Sequence, residues 1–253
     1  MSISPEKAAR EARRDLSLGD DGPVPDLLQR IETGAGVNVV LARLPEGGPA
    51  GAYARERDAQ FILVNSREPV VRQRFTLAHE YGHHCLGHGD AYDERIWWGA
   101  TDPREVAASR FAAELLVPIA GVDLWFRAEQ PDSVGLEALV RLANSFGVSC
   151  ETALWRARAA GRVAVSAADR LKRRLDAREH HGLRGQLGLS EIVDTISSAQ
   201  GLEVRVPARM SGNVLKALDF GIITQEQAAK KLRVSVVQLR RELKRRKREL
   251  EDE

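Results

Sequence analysis

Apolar and polar positions follow one another in short blocks, and their spacing predicts many small elements. Residues 4–18 form a polar helix, and GDDGPVP at 19–25 is a turn-rich break. Residues 26–33 read as a helix ended by Gly34-Ala35-Gly36. The β-branched run at 37–41 reads as a strand. After a loop around Pro45-Glu46-Gly47-Gly48-Pro49, residues 52–56 and 60–65 form a hairpin with Arg57-Asp58-Ala59 at its tip. A longer helix is predicted from about 70 to 86. Pro69 suits its first turn and Gly87 its end. A further helix starts at Asp102-Pro103, where the Asp caps and the Pro takes the first position, and Pro118 stops it.

The second half reads as mostly helical. Ala143-x-x-Phe146-Gly147-Val148-Ser149 and Ala229-x-x-Leu232-Arg233-Val234-Ser235 share one spacing, 86 residues apart. Each predicts two short helices joined by a tight turn, with Ser capping the second. Such a unit suits either helix-turn-helix DNA binding or plain helical packing. The first copy is apolar and reads as scaffold. The second carries capping-box patterns at Thr224-x-x-Gln227 and Ser235-x-x-Gln238, then a basic run. In that run Arg240, Arg241, Lys244 and Arg245 are the candidate nucleic-acid contacts, since clustered cations neutralise phosphates. A solvated terminal helix is the plainer reading, and the acids at 249–253 partly offset the charge. Between the copies, 166–187 is a basic helix and hinge, 190–200 an amphipathic helix capped by Ser190, and 202–206 a short strand. The expected divisions are a core at 1–122, a helical extension at 123–162, a linking helix-strand unit at 163–209 and a basic C-terminus at 210–253.

Composition narrows the class. The 253 residues are 43% hydrophobic and 29% charged, which is ordinary for a soluble globular chain, and the net charge of +2 decides nothing. Cys85 and Cys150 are the only cysteines, too few for a disulfide framework and in keeping with a reducing compartment. No stretch is long and apolar enough for a bilayer, and the opening MSISPEKAAREARRD lacks the apolar core of a signal peptide. The expected location is cytoplasmic, with no membrane partner.

The candidate chemistry is concentrated in His79-Glu80-Tyr81-Gly82-His83. On a helix, positions four apart share a face, so both imidazoles can reach one metal ion while Glu80 stands beside it. Two histidines leave a catalytic site one protein ligand short. Glu105, 22 residues beyond His83 and in the first turn of the next helix, is the best third ligand. Asp90, Asp93, Asp102 and Glu114 are its rivals, with Glu114 deeper in an apolar helix. Ala107, Ala108, Ala112 and Ala113 give that helix small faces for close packing against the histidine helix. Cys85 reads as core, His84 and His88 as surface or supporting groups, and Trp97 and Trp98 as loop residues suited to packing or to a groove. A donor for an oxyanion could be His88, Tyr92 or Tyr53.

The segment RQRFTLAHEYGHHCLGH, followed by E-x-x-x-S-R-F-A-A-E-L-L-V-P and preceded by Val64-Asn65, resembles the ImmA/IrrE family of metallopeptidases over roughly residues 25–160. The resemblance implies His79, His83 and Glu105 as metal ligands and Glu80 as general base. It departs from the family pattern at two positions: Ser109 stands for the usual Asn, and Ala107 for a Glu. The implied fold is α+β, a small antiparallel sheet packed on zincin-type helices and followed by a mostly helical C-terminal domain. The implied metal is Zn2+, although two histidines and a carboxylate also suit Mn2+, Fe or Co. The implied activity is limited proteolysis of a transcriptional repressor, a helix-turn-helix protein, in mobile-element or stress control, with DNA contact through the basic C-terminus. The alternative is a metal-stabilised DNA-binding regulator without proteolytic turnover.

Overall fold

The structure, a computed structural model, describes residues 3–89, 91–93, 102–131, 133–189, 196 and 204–251; for 91–93 and 245–251 it describes the backbone only. The expected helix at 190–200 and the Trp97-Trp98 loop lie outside the described residues, as does Asp90. The class is α+β, as the pattern predicts.

Helix α1 (Pro5–Asp15) starts on Ser4, whose hydroxyl accepts from the Lys7 amide at 3.3 Å. Its alanines Ala8, Ala9 and Ala12 are buried. Helix α2 (Leu27–Arg30) runs on into one π turn, Ile31–Ala35, which ends at Gly36 with φ +70°.

Strands β1 (Asn38–Ala42), β2 (Gly51–Glu56), β3 (Ala59–Asn65), β4 (Ala91–Asp93) and β5 (Val204–Arg205) make a sheet in the order β4-β2-β3-β1-β5. The β2–β3 hairpin is the predicted one, with Arg57 at φ +50° in its turn. The expectation of a purely antiparallel sheet is corrected: β1 and β3 run parallel, with Asn38 opposite Phe61 and Ala42 opposite Asn65. The chain from 43 to 50 carries β2 past the place beside β1, and the hairpin then returns β3 into it. Asn65 secures this crossing. Its Nδ2 donates to Pro49 O at 3.2 Å, and its Oδ1 accepts from the amides of Leu44 and Arg67.

Helix α3 (Val70–Cys85) packs against the sheet and against α4 (Pro103–Leu116), and every residue of α3 from Gln73 to His83 is buried. Both helices have the predicted limits to within a residue. Helices α5 (Ile119–Glu129), α6 (Leu136–Phe146), α7 (Cys150–Ala159), α8 (Val165–Asp176) and α9 (Glu179–Gln186) extend the same core. Buried arginines tie the layers together through carbonyl oxygens that helix ends and turns leave unpaired. Arg74 on α3 donates to Gly147 O at 2.9 Å and to Val24 O at 2.7 Å. Arg13 donates to the carbonyls of Gly19, Gly22 and Leu115. Arg156 reaches Val117 O and the carboxylate of Glu114.

The C-terminal helices α10 (Ala208–Asp219), α11 (Gln225–Leu232) and α12 (Val236–Glu251) form a second hydrophobic cluster around Val214, Leu215, Ala228, Ala229, Leu232 and Leu239. Arg205 on β5 joins this region to the sheet. Its guanidinium meets both oxygens of Glu32 at 2.6 Å, the bidentate geometry in which this pair is strongest. The repeated spacing forms two helices joined by a left-handed turn in both copies: α6–α7 turns at Gly147 (φ +65°) and α11–α12 at Arg233 (φ +57°). Both predicted capping boxes form, at Thr224/Gln227 and at Ser235/Gln238.

Candidate metal centre

Two i,i+4 pairs on crossing helices build the site. His79 and His83 lie one turn apart on α3, and Glu105 and Ser109 lie one turn apart on α4. Asp102 starts α4 as expected, its carboxylate accepting from the Arg104 amide at 2.8 Å. Gly82 sets how closely the helices approach. A Cβ there would fall 2.9 Å from Phe111 Cδ1 and 3.3 Å from Ala108 Cα. Ala108 and Ala112, both buried, supply the small face that the sequence predicts.

The donor atoms converge. His79 Nε2 lies 3.1 Å from His83 Nε2, 3.0 Å separates His79 Nε2 from Glu105 Oε2, and 3.4 Å separates His83 Nε2 from Glu105 Oε1. Tetrahedral ligands held at about 2.0–2.1 Å from a zinc-sized ion stand about 3.3 Å from one another, so this donor set fits a divalent cation. The groups behind it fit too. His79 Nδ1 is 3.2 Å from Ser109 Oγ, and His83 Nδ1 is 2.9 Å from His88 Nδ1. With a proton on each ligand's Nδ1, both rings donate outward and turn their Nε2 lone pairs inward, the form that metal binding requires. Burial first, and then the neighbouring His79, push the His83 pKa below its ordinary value. In the metal-free site, where His79 Nε2 carries the proton instead, its hydrogen bond holds Glu105 below the usual carboxylate range. A neutral His83 beside an ionised Glu105 is the state in which these groups can take a cation.

Among the described residues, these three are the group of His, Cys, Asp or Glu side chains placed to hold a metal ion. Asp102 is occupied as a cap, and Glu114 is buried against Arg156 and 3.6 Å from Arg10. The side chain of Asp93 lies outside the described residues. Glu80 is fully buried on the next face of α3. A Cβ on Gly51 of β2 would come within 2.8 Å of Glu80 Oε1, so glycine at that strand position lets Glu80 fit against the sheet.

The remaining candidates fall elsewhere. Tyr53 Oη is 3.2 Å from His84 Nδ1, and His84 stacks on Tyr81. The side chain of Tyr92 lies outside the described residues. Cys85 is core-facing as expected, and burial pushes its thiol up to about 12. Arg240, Arg241 and Lys244 are exposed on α12, with Arg240 Nε donating to Gln225 at 2.8 Å. Arg245 lies on the same helix, its side chain outside the described residues. The contacts of Ser109 with His79 and of His88 with His83 were only partly legible in the sequence. Ser109 sits four residues after Glu105, which is a helical neighbour signal, but the contact of His88 depends on the turn after α3.

Paired histidines on one helix, with a carboxylate from a crossing helix over a mixed sheet, define a metallopeptidase-type centre. Residues 33–158 match the model of the IrrE N-terminal-like domain. A radiation response metalloprotease IrrE from Deinococcus deserti is 34% identical over 122 residues, covering 46% of this chain and 42% of that protein. The match therefore spans less than half the length of that relative. Through this domain the chain belongs to the ImmA/IrrE family of metallopeptidases. No helix among the described residues is long and apolar enough to cross a membrane.

Proposed function

We propose that the chain is a metal-dependent endopeptidase of the ImmA/IrrE type that cuts a transcriptional repressor of the helix-turn-helix class by limited proteolysis. The convergence of His79 Nε2, His83 Nε2 and the Glu105 carboxylate carries the reading. Zn2+ is the cation we assign, with Mn2+ the nearest substitute. When bound, the cation supplies Lewis acidity, polarising a carbonyl and lowering the pKa of water toward about 7. Glu80 takes the proton of the attacking water and returns it to the leaving amine. Ser109 and His88 keep the two imidazoles in the right tautomer and orientation. The family resemblance supports a role in stress or mobile-element control, and the two unpaired cysteines support a cytoplasmic location.

Co-expression with a helix-turn-helix repressor encoded beside this chain tests the reading. The wild type should yield two repressor fragments, and Glu80→Gln should leave the repressor intact. Cleavage by Glu80→Gln at the wild-type rate overturns the assignment of Glu80. The exposed cations on α12, behind a capped turn of helix-turn-helix shape, favour a second contact, to DNA. A gel-shift series across salt concentrations should show binding that weakens steeply with salt, and no shift at low salt removes the claim.

A further inference from the structure

A cleft of about 1040 Å³ opens along the first half of α3; none of His79, Glu80, His83 or Glu105 lines it, and its lining reaches Thr76, one turn before Glu80. It is at the upper end of the range for binding pockets, about 300–1,000 Å³. It is lined by the first half of α3, the start of α7 and the α8 residues Lys172, Leu175 and Asp176. Phe75 and Trp155 supply apolar surface, while Arg72 with Glu68, and Lys172 with Glu151 and Asp176, place ion pairs of both signs around it.

Thr76 lines this cleft and is only 1% exposed, yet its Oγ1 has no hydrogen-bond partner among the described residues. A buried hydroxyl left so costs about 1–3 kcal/mol, so a group arriving through the cleft would remove a standing penalty. Thr76 also points to the chemistry. It precedes Glu80 by four residues on α3, hence on the same face about one turn (roughly 5.4 Å) away. Both side chains press on Gly51, where a Cβ would lie 2.5 Å from Thr76 Cγ2 and 2.8 Å from Glu80 Oε1. An extended chain, rising about 3.3 Å per residue, covers that turn in about two residues.

We propose that this cleft is the substrate-reading groove, taking an extended polypeptide segment whose polar group bonds Thr76 Oγ1 close to the scissile bond, with Phe75 and Trp155 holding an apolar side chain further out. Ion pairs of mixed sign suit a polypeptide, whose side chains bring both charges, better than a uniformly charged ligand. The proposal rests on the endopeptidase reading above.

The test uses the full chain carrying its metal and a degenerate library of 12-residue peptides. Peptides enriched on Glu80→Gln protein are measured for affinity, then offered to active enzyme. Thr76→Val removes the hydroxyl at constant shape. It should leave the melting temperature unchanged or raised, and weaken the enriched peptides about fivefold to tenfold, the loss of one hydrogen bond. Trp155→Ala should weaken them at least as much, and the same factors should appear in KM rather than kcat. Unchanged affinity in both variants, or no enriched peptide, overturns the groove. Peptides that need Thr76 and Trp155 for binding but are left uncut by the active enzyme sustain the groove and contradict the peptidase reading. Cleavage with KM indifferent to both residues does the reverse.

Discussion

Ser109 Oγ lies 3.2 Å from Nδ1 of His79, on the opposite side of the ring from Glu105 Oε2. One turn of α4 thus grips a histidine of α3 twice, once at each nitrogen. In the proposed centre the carboxylate would bind the cation, and the hydroxyl would fix which nitrogen of His79 offers it a lone pair. Removing such a supporting group typically costs 10–100-fold in metal affinity. Ser109→Ala should therefore weaken Zn2+ binding about tenfold, measured by competition with a chromophoric chelator, with circular dichroism unchanged. Ser109→Asn, which restores an acceptor at this position, should keep the affinity within about threefold, a smaller loss than alanine gives.

Gly82 lets α4 approach α3, and a methyl group there meets the ring of Phe111 and the backbone of Ala108. Overpacking of this kind typically costs about 1–3 kcal/mol. Gly82→Ala should lower the denaturation midpoint accordingly. It should also weaken metal binding, because the displaced helix carries Glu105 with it. A variant with full stability and full affinity would show that the helices do not depend on this contact.

Arg74 donates from α3 to Val24 and to Gly147, the left-handed residue of the α6–α7 turn. Arg74→Leu strands two carbonyls, each costing about 1–3 kcal/mol when buried. A loss of about 2–4 kcal/mol in urea unfolding is expected. Arg72→Leu, two residues away and exposed, removes only an exposed ion pair and should cost under about 1 kcal/mol.

His83 titrates below its ordinary 6.5 because burial, and then His79, disfavour its charged form. As pH falls below 6.5, the unfolded chain takes up a proton that the folded, metal-free chain refuses. Stability of the metal-free protein should therefore decline as pH falls through that range, and His83→Gln should flatten the decline. The thiols give a simpler check. Burial pushes Cys85 up to about 12 and Cys150 up to about 11. At pH 8 both should alkylate far more slowly in the native chain than in the same chain unfolded, because the thiolate is the reactive form.

Local signals carried most of what positions the site. Pro69 and Gly87 bracket α3, Asp102-Pro103 opens α4, and the two capping boxes at Thr224 and Ser235 form as their spacing implies. Each depends on groups within four residues, so the chain states them directly. Pairing between distant segments was less legible. The run at 37–41 reads as a strand, yet nothing in it says that its partner is the far strand of the hairpin, in parallel. The buried arginines were silent for the same reason, since Arg13 and Arg74 donate to carbonyls whose position depends on the completed fold. The placement of Glu105 beside His79 and His83 was readable from its position in the first turn of the next helix. The hold of Ser109 on His79, and the pressure of Gly51 on Glu80 and Thr76, required the packed helices and sheet.

Metal content measured on purified protein tests the central claim most directly. Wild type and Glu80→Gln should each hold about one Zn2+ or other divalent ion per chain. His79→Ala, His83→Ala and Glu105→Ala should each hold far less at the same folded fraction. Full metal content in Glu105→Ala, or its loss in Glu80→Gln with the fold intact, would contradict a centre built from two histidines and Glu105 with Glu80 beside it.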